Sequence, residues 1–247
     1  MLLMEYQIEY AYACHRGKLR QNNQDNFYCD GLYLSPGDGG LPAVAAGCAG
    51  PGGAHLFAVF DGISGEKRGE TASLLAAETL AGLDPARREK SLAEACLESN
   101  RRIVAFAGEN RLSACGTTAA MLLFDAVGTA WCSIGDSRVC RLRGGIMEQL
   151  SEDDVYPAAG GRKPPLLQYL GIPERKMRIE PHTGTLPAVR GDVWLLCTDG
   201  LSDMVPLRDI PCLIAGRSAA DAAKILLCKA LYAGGKDNIT FFLLYLK

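Results

Sequence analysis

In Phe57-Ala58-Val59-Phe60-Asp61-Gly62 an apolar run of strand-forming residues stops dead at an acid in a tight turn. Aspartates at the margin of apolar runs, most with glycine or asparagine beside them, recur at Gln24-Asp25-Asn26, Gly135-Asp136-Ser137, Thr198-Asp199-Gly200 and Lys236-Asp237-Asn238. A strand that ends this way delivers a carboxylate to the rim of a sheet. Several such rims can converge on hard cations.

The strand-like run Leu56–Phe60 follows a Gly/Pro/Ala-rich segment, residues 36–53, which reads as a long flexible hairpin loop after the strand-like run Phe27–Leu34. Beyond Gly65 the pattern turns helical. Ala72, Leu75, Ala76, Thr79 and Leu80 recur at spacings of three and four and Gly82 lies where the helix stops; a second stripe runs from Ser91 to near Gly108. From Thr117 to about Leu150 short runs alternate with turns, including Arg143-Gly144-Gly145, and read as an antiparallel meander. Asp192–Cys197 is expected to be a strand, Ser218–Leu231 a helix with Asp221 in its first turn, and Asn238–Leu246 a closing strand. Strands in blocks with helices in pairs between them indicate an α+β layered protein and argue against a βαβ sheet. No G-x-G-x-x-G or Walker A sequence occurs.

The 247 residues carry 26 Lys+Arg against 28 Asp+Glu, a net charge of −2, so nothing favours nucleic acid or an anionic membrane. With 48% hydrophobic residues and no internal repeat or linker, one domain over residues 1–247 is the economical reading. The ten cysteines form no C-x-x-C pair and fit a reduced, cytoplasmic setting. Met1-Leu2-Leu3-Met4 breaks off at Glu5, so neither a signal peptide nor an anchor is expected, and no apolar run is long enough to span a bilayer.

Taken singly, each aspartate reads as a loop residue bonding its own backbone. As a set, Asp61, Asp136, Asp199, Asp203 and Asp237 would repel one another unless cations neutralised them. Mg²⁺ or Mn²⁺ suits oxygen ligands, and there is no His or Cys cluster for zinc. His15, His55 and His182 are dispersed and read as surface or capping residues; Arg16 reads as an exposed arginine before a turn, Arg87-Arg88 and Arg101-Arg102 as solvated helix faces, and Ser137 and Arg138 as shaping the turn that presents Asp136.

Six stretches, RGKLRQNNQD (16–25), FAVFDGISGEKRGETAS (57–73), GTTAAMLLF (116–124), CSIGDSRVCRLRGG (132–145), GDVWLLCTDGLSDMV (191–205) and GGKDNITFFLL (234–244), resemble in order the motifs of the metal-dependent protein phosphatases of PP2C type, and of their soluble bacterial members above all. The resemblance implies a four-layer α-β-β-α sandwich, two antiparallel sheets flanked by helix pairs. It implies that Asp61 bridges two Mn²⁺ or Mg²⁺ ions, that the Gly62 carbonyl binds one of them, that Asp199 and Asp237 hold the second, and that Asp25 acts through bound water. Asp136 and Asp203 correspond to a third, more weakly bound metal, and Arg20 to the arginine that grips the substrate phosphate. The implied reaction is in-line attack by a hydroxide held between two metals about 4 Å apart on phosphoserine or phosphothreonine of protein substrates, the partners of a cognate Ser/Thr kinase.

The chain departs from the pattern in three places. Ile63 stands where eukaryotic members have a histidine offered as general acid, a residue the bacterial members also lack, so a metal-bound water is the simplest proton donor. Gln24 replaces a common Glu. Asp154 is followed by Val155 where a histidine is expected, and residues 155–167 form an abbreviated flap. Two other functions stay open: a catalytically inactive relative used as a binding or sensor module, and a phosphatase of small phosphate esters.

Overall fold

The computed structural model describes residues 6–63, 68–157 and 163–247. Met1–Glu5, the Gly65 helix boundary and residues 158–162 of the flap lie outside the described residues. Eleven described strands form two antiparallel sheets. One contains β1 (Ile8–His15), β3 (Ala45–Ala49), β7 (Arg138–Arg143), β8 (Ile146–Gln149), β10 (Val193–Cys197) and β11 (Ile239–Leu246), in the order β3-β1-β11-β10-β7-β8. The other contains β2 (Asn26–Cys29), β4 (His55–Phe60), β5 (Ala119–Asp125), β6 (Gly128–Ile134) and β9 (His182–Leu186), in the order β2-β4-β5-β6-β9. Helices α1 (Gly69–Leu80) and α2 (Glu89–Glu109) cover the second sheet. The short α3 (Asp199–Ser202) and α4 (Ile210–Ile214), with α5 (Ala219–Tyr232), cover the first.

The apolar runs explain the layering. All eight residues of β11 are buried because the strand has no wet face: Phe242 and Leu244 point into the core between the sheets, whereas Phe241 and Leu243 point toward α5. β5 does the same, with Leu122 and Phe124 facing the central core and Met121 and Leu123 facing α1 and α2. A strand buried on both faces reads as a continuous apolar run. Trp194 of β10, fully buried, meets Phe124 edge to face at 5.8 Å and closes the centre. Ser218 caps α5, its hydroxyl accepting from the Asp221 N–H. The four-layer α+β sandwich with two antiparallel sheets is therefore the observed architecture.

Three expectations change. The loop at 36–53 contains β3, an edge strand paired with β1; its Ala-Ala-Gly-Cys-Ala sequence has little strand propensity, and Gly47 is there because the Tyr10 ring fills the place of a side chain. The run from Thr117 to Leu150 is two hairpins in different sheets, and the chain crosses from one sheet to the other at Gly135-Asp136. Arg88 and Arg102 are paired as well as partly solvated: Arg88 pairs with Asp125, and Arg102 reaches from α2 to Glu78 of α1 at 2.8 Å. No helix among the described residues is long and apolar enough to cross a membrane.

His55 opens β4 with both ring nitrogens engaged, Nδ1 on Asp30 at 2.6 Å and Nε2 on the Gly50 carbonyl at 3.0 Å. The Asp30 hydrogen bond is the main cause that raises the His55 pKa, so charged histidine favours the folded state. A raised folded pKa gives stability that is complete below the unfolded value of about 6.5 and is lost as pH rises through the folded pKa. The unfolding free energy of wild type relative to His55→Gln should accordingly fall as pH rises above about 6.5 in urea titrations; a difference independent of pH would contradict the pairing.

Candidate metal centre

Asp61 is the residue after β4, where the strand reaches the rim. Its N–H donates to Thr118 Oγ1 (3.2 Å) and its carbonyl accepts from the Thr118 N–H (2.9 Å), while Thr118 Oγ1 lies 2.6 Å from Ser137 Oγ. The end of β4 is thus stapled to the turn carrying Asp136. Gly62 donates to the Gln24 carbonyl at 3.2 Å, and a Cβ there would lie 2.4 Å from that oxygen, so only glycine lets the two rims approach. Asp25 enters from the other side, just before β2.

The first sheet supplies the remaining acids. Asp199 is the first residue of α3, directly beyond β10, and Asp203 follows that helix. Asp237 precedes β11; the Asn238 side chain fixes this corner by donating to the carbonyls of Arg16 (2.8 Å) and Asn22 (3.0 Å) and accepting from the Gln24 N–H (2.9 Å). Gly200 packs directly on the Asn238 carbonyl. Carboxylates from both sheets therefore face one cleft, and a cavity of about 490 Å³ adjoins it beside Asp25, bordered by Arg16, Arg68 and Glu70.

The electrostatics record the crowding. Burial raises the Asp25 pKa to about 7, with the Asp237 charge adding to it and hydrogen bonds from Thr240 and Thr198 opposing. Asp61 is raised well above the carboxylate range by burial first, then by Asp25, Asp136 and Asp237, with Lys163 opposing. Two buried oxygens, Asp25 Oδ1 and Asp199 Oδ1, have no hydrogen-bond partner. Such atoms in a pocket of mutually repelling acids fit a divalent cation, and an all-oxygen donor set fits Mg²⁺ or Mn²⁺.

Side-chain cations already stand among these acids. Arg20 forks onto Asp237, Nε to Oδ1 at 2.8 Å and Nη2 to Oδ2 at 2.6 Å, so the arginine expected at the substrate and the acid expected at a metal are bound to each other. Lys163, which the sequence did not single out, contacts Asp199 and reaches Asp136 at 3.2 Å and Asp203 at 3.4 Å. No three acidic, histidine or cysteine side chains among the described residues form a ready ligand set.

The supporting residues differ in part from expectation. Ser137 and Arg138 do shape the Asp136 turn, Arg138 pairing with Asp153 at 2.6 Å. Arg16 is exposed, bonded to the Gln21 carbonyl at 3.1 Å. His182 is not a free surface residue: its Nε2 lies 2.9 Å from Oδ1 of the buried Asp154. Twenty-eight positions separate the two, and no periodicity links them. Ile63 brings no titratable group; its N–H donates to the Gly116 carbonyl.

Comparison with known proteins places the chain in a family. The serine/threonine protein phosphatase PstP of Mycobacterium tuberculosis is 30% identical over 249 residues, an alignment covering 94% of this chain and 44% of PstP, so this chain spans less than half the length of that relative. The serine/threonine phosphatase stp of Listeria innocua is 29% identical, with 92% of each chain covered. A crystal structure of the PstP catalytic domain in complex with two manganese ions is 30% identical and superimposes with a TM-score of 0.75, covering 97% of this chain and 99% of that one. The family model described as Protein phosphatase 2C matches residues 43–222, nearly three-quarters of the sequence, and this chain belongs to that family.

Proposed function

We propose that residues 1–247 form one catalytic domain of a Mn²⁺- or Mg²⁺-dependent phosphatase that hydrolyses phosphoserine and phosphothreonine in proteins. The observation that carries this reading is the meeting of Asp25, Asp61, Asp136, Asp199 and Asp237 from the ends of strands in both sheets, with unpartnered oxygens on Asp25 and Asp199. Asp61, the Gly62 carbonyl, Asp199 and Asp237 would hold two ions, Asp25 would act through water, and Asp136 with Asp203 would hold a third, weaker one. Bound there, the ions supply an acidified water and positive charge for the phosphoryl oxygens.

The chain's own residues do the rest. The Arg20 guanidinium, 40% exposed at the cleft, would offer its planar fork to a phosphate once Asp237 turns to an ion. Asn238, Thr118 and Ser137 hold the backbone of the acid-bearing corners. Hydrolysis by this route needs no residue that becomes phosphorylated. Phosphoprotein substrates accord with the relatives named as serine/threonine phosphatases, and a cognate Ser/Thr kinase is part of the same proposal. A cytoplasmic setting accords with ten free cysteines, three of them exposed, and no nucleic-acid or membrane partner is proposed.

Purified protein should release phosphate from p-nitrophenyl phosphate and from phosphopeptides with Mn²⁺, and EDTA should abolish both activities. Metal-independent turnover would exclude the mechanism. The occupation of the acids by Arg20 and Lys163 favours the inactive binding module as the second reading; it predicts neither turnover nor Mn²⁺ uptake. Preference for metabolites over phosphopeptides would instead mark a small-ester phosphatase.

A further inference from the structure

We infer that Asp154 and His182 are positioning residues that fix the Gly135–Asp136 turn. This rests on the reading of Asp136 as a ligand of the weaker-bound ion. The Asp154 carboxylate is buried and accepts three hydrogen bonds: Oδ2 from the Gly135 N–H at 3.0 Å, and Oδ1 from Gln168 Nε2 at 3.0 Å and His182 Nε2 at 2.9 Å. The Asp154 N–H in turn donates to the Gly135 carbonyl at 2.9 Å. Both backbone groups of Gly135 are therefore held by one residue.

Gly135 is where the chain leaves one sheet for the other, and its backbone is left-handed, φ +95°, with Thr118 filling the space of a side chain. No regular ladder can hold such a residue, so its bonds must come from outside the strands. Asp154 supplies them, and His182 sets where Asp154 points. The imidazole stands at the start of β9, opposite Ser133 in the register with β6, two residues before Gly135. Gln168 is braced as well, accepting from the Glu180 N–H at 2.8 Å, and the Leu167 N–H donates to the Asp154 carbonyl at 2.7 Å. On the far side of Asp136, the Thr118–Ser137 pair completes the hold. A carboxylate only accepts, so His182 presents its Nε2–H to Asp154, and a glutamine amide can do the same.

Residues that orient a metal ligand typically govern metal affinity by about 10- to 100-fold. Calorimetric titration of Mn²⁺ into the 247-residue chain should show a tight and a weaker class of sites. His182→Ala should weaken the weaker class about tenfold or more and leave the tight class unchanged. His182→Gln should restore it, and Asp154→Asn should reproduce the loss, with melting temperatures in EDTA confirming that each variant is folded. A weaker class indifferent to both His182→Ala and Asp154→Asn, in a wild type that shows both classes, overturns this inference alone. A wild type that takes up no Mn²⁺ overturns the metal reading and this inference with it.

Discussion

Asp61→Asn is expected to lower phosphate release by about 10³-fold or more, the scale on which one electrostatic element of an active site acts, or about 4 kcal/mol of barrier. The same substitution should not unfold the protein. Asp61 is desolvated and faces Asp25, Asp136 and Asp237, which together raise its pKa, so the ionised side chain burdens the metal-free fold. In EDTA the variant should melt at or above the wild-type temperature. That combination separates a ligand from a packing residue: a core residue lost with activity lowers stability, whereas a carboxylate kept for a cation does not. Retained turnover, or a collapse in melting temperature, would count against the assignment.

Gly200→Ala is the second large effect. A Cβ at this position would lie 1.8 Å from the Asn238 carbonyl oxygen, which is backbone and cannot swing aside. The new methyl must separate α3 from the start of β11 and so move Asp199 away from Asp237. Overpacking of this kind costs about 3 kcal/mol, and activity should be lost with it. Gly108→Ala is the control: it lies in α2 with nothing within 4 Å of the added carbon, and replacing a helical glycine should stabilise by about 0.5–1 kcal/mol. Urea unfolding of the two variants measures both; a neutral Gly200→Ala would show that this corner is looser than described.

The α+β layering was legible in the order of the runs, strands in blocks with helices in pairs between them, and the structure shows that its central strands have no wet face. Ile239–Leu246 and Ala119–Asp125 carry apolar side chains at successive positions, and only a sandwich covered by helices on both outer faces buries them all. β3 was not legible, since Ala45–Ala49 has neither bulk nor alternation and is a strand only because β1 offers it an edge. The meander failed for a related reason: Gly135-Asp136 looks like any hairpin turn, yet Asp154 and Thr118 carry it across to the other sheet. Of the site, the acids at strand ends stood out as a set. What they are bound to did not. The Arg20–Asp237 fork, the reach of Lys163 to three acids and the His182–Asp154 pair join residues 217, 27 to 40, and 28 positions apart, and side chains that meet only through the folded sheets leave no periodic trace.

In the proposed centre two divalent ions share Asp61. Crystals soaked in Mn²⁺ and measured at the manganese absorption edge test it most directly. Two anomalous peaks are expected, both bordered by Asp61, one also by the Gly62 carbonyl and the other by Asp199 and Asp237. Peaks absent from this cleft, with Arg20 still closed on Asp237 and Lys163 on Asp199, would contradict it.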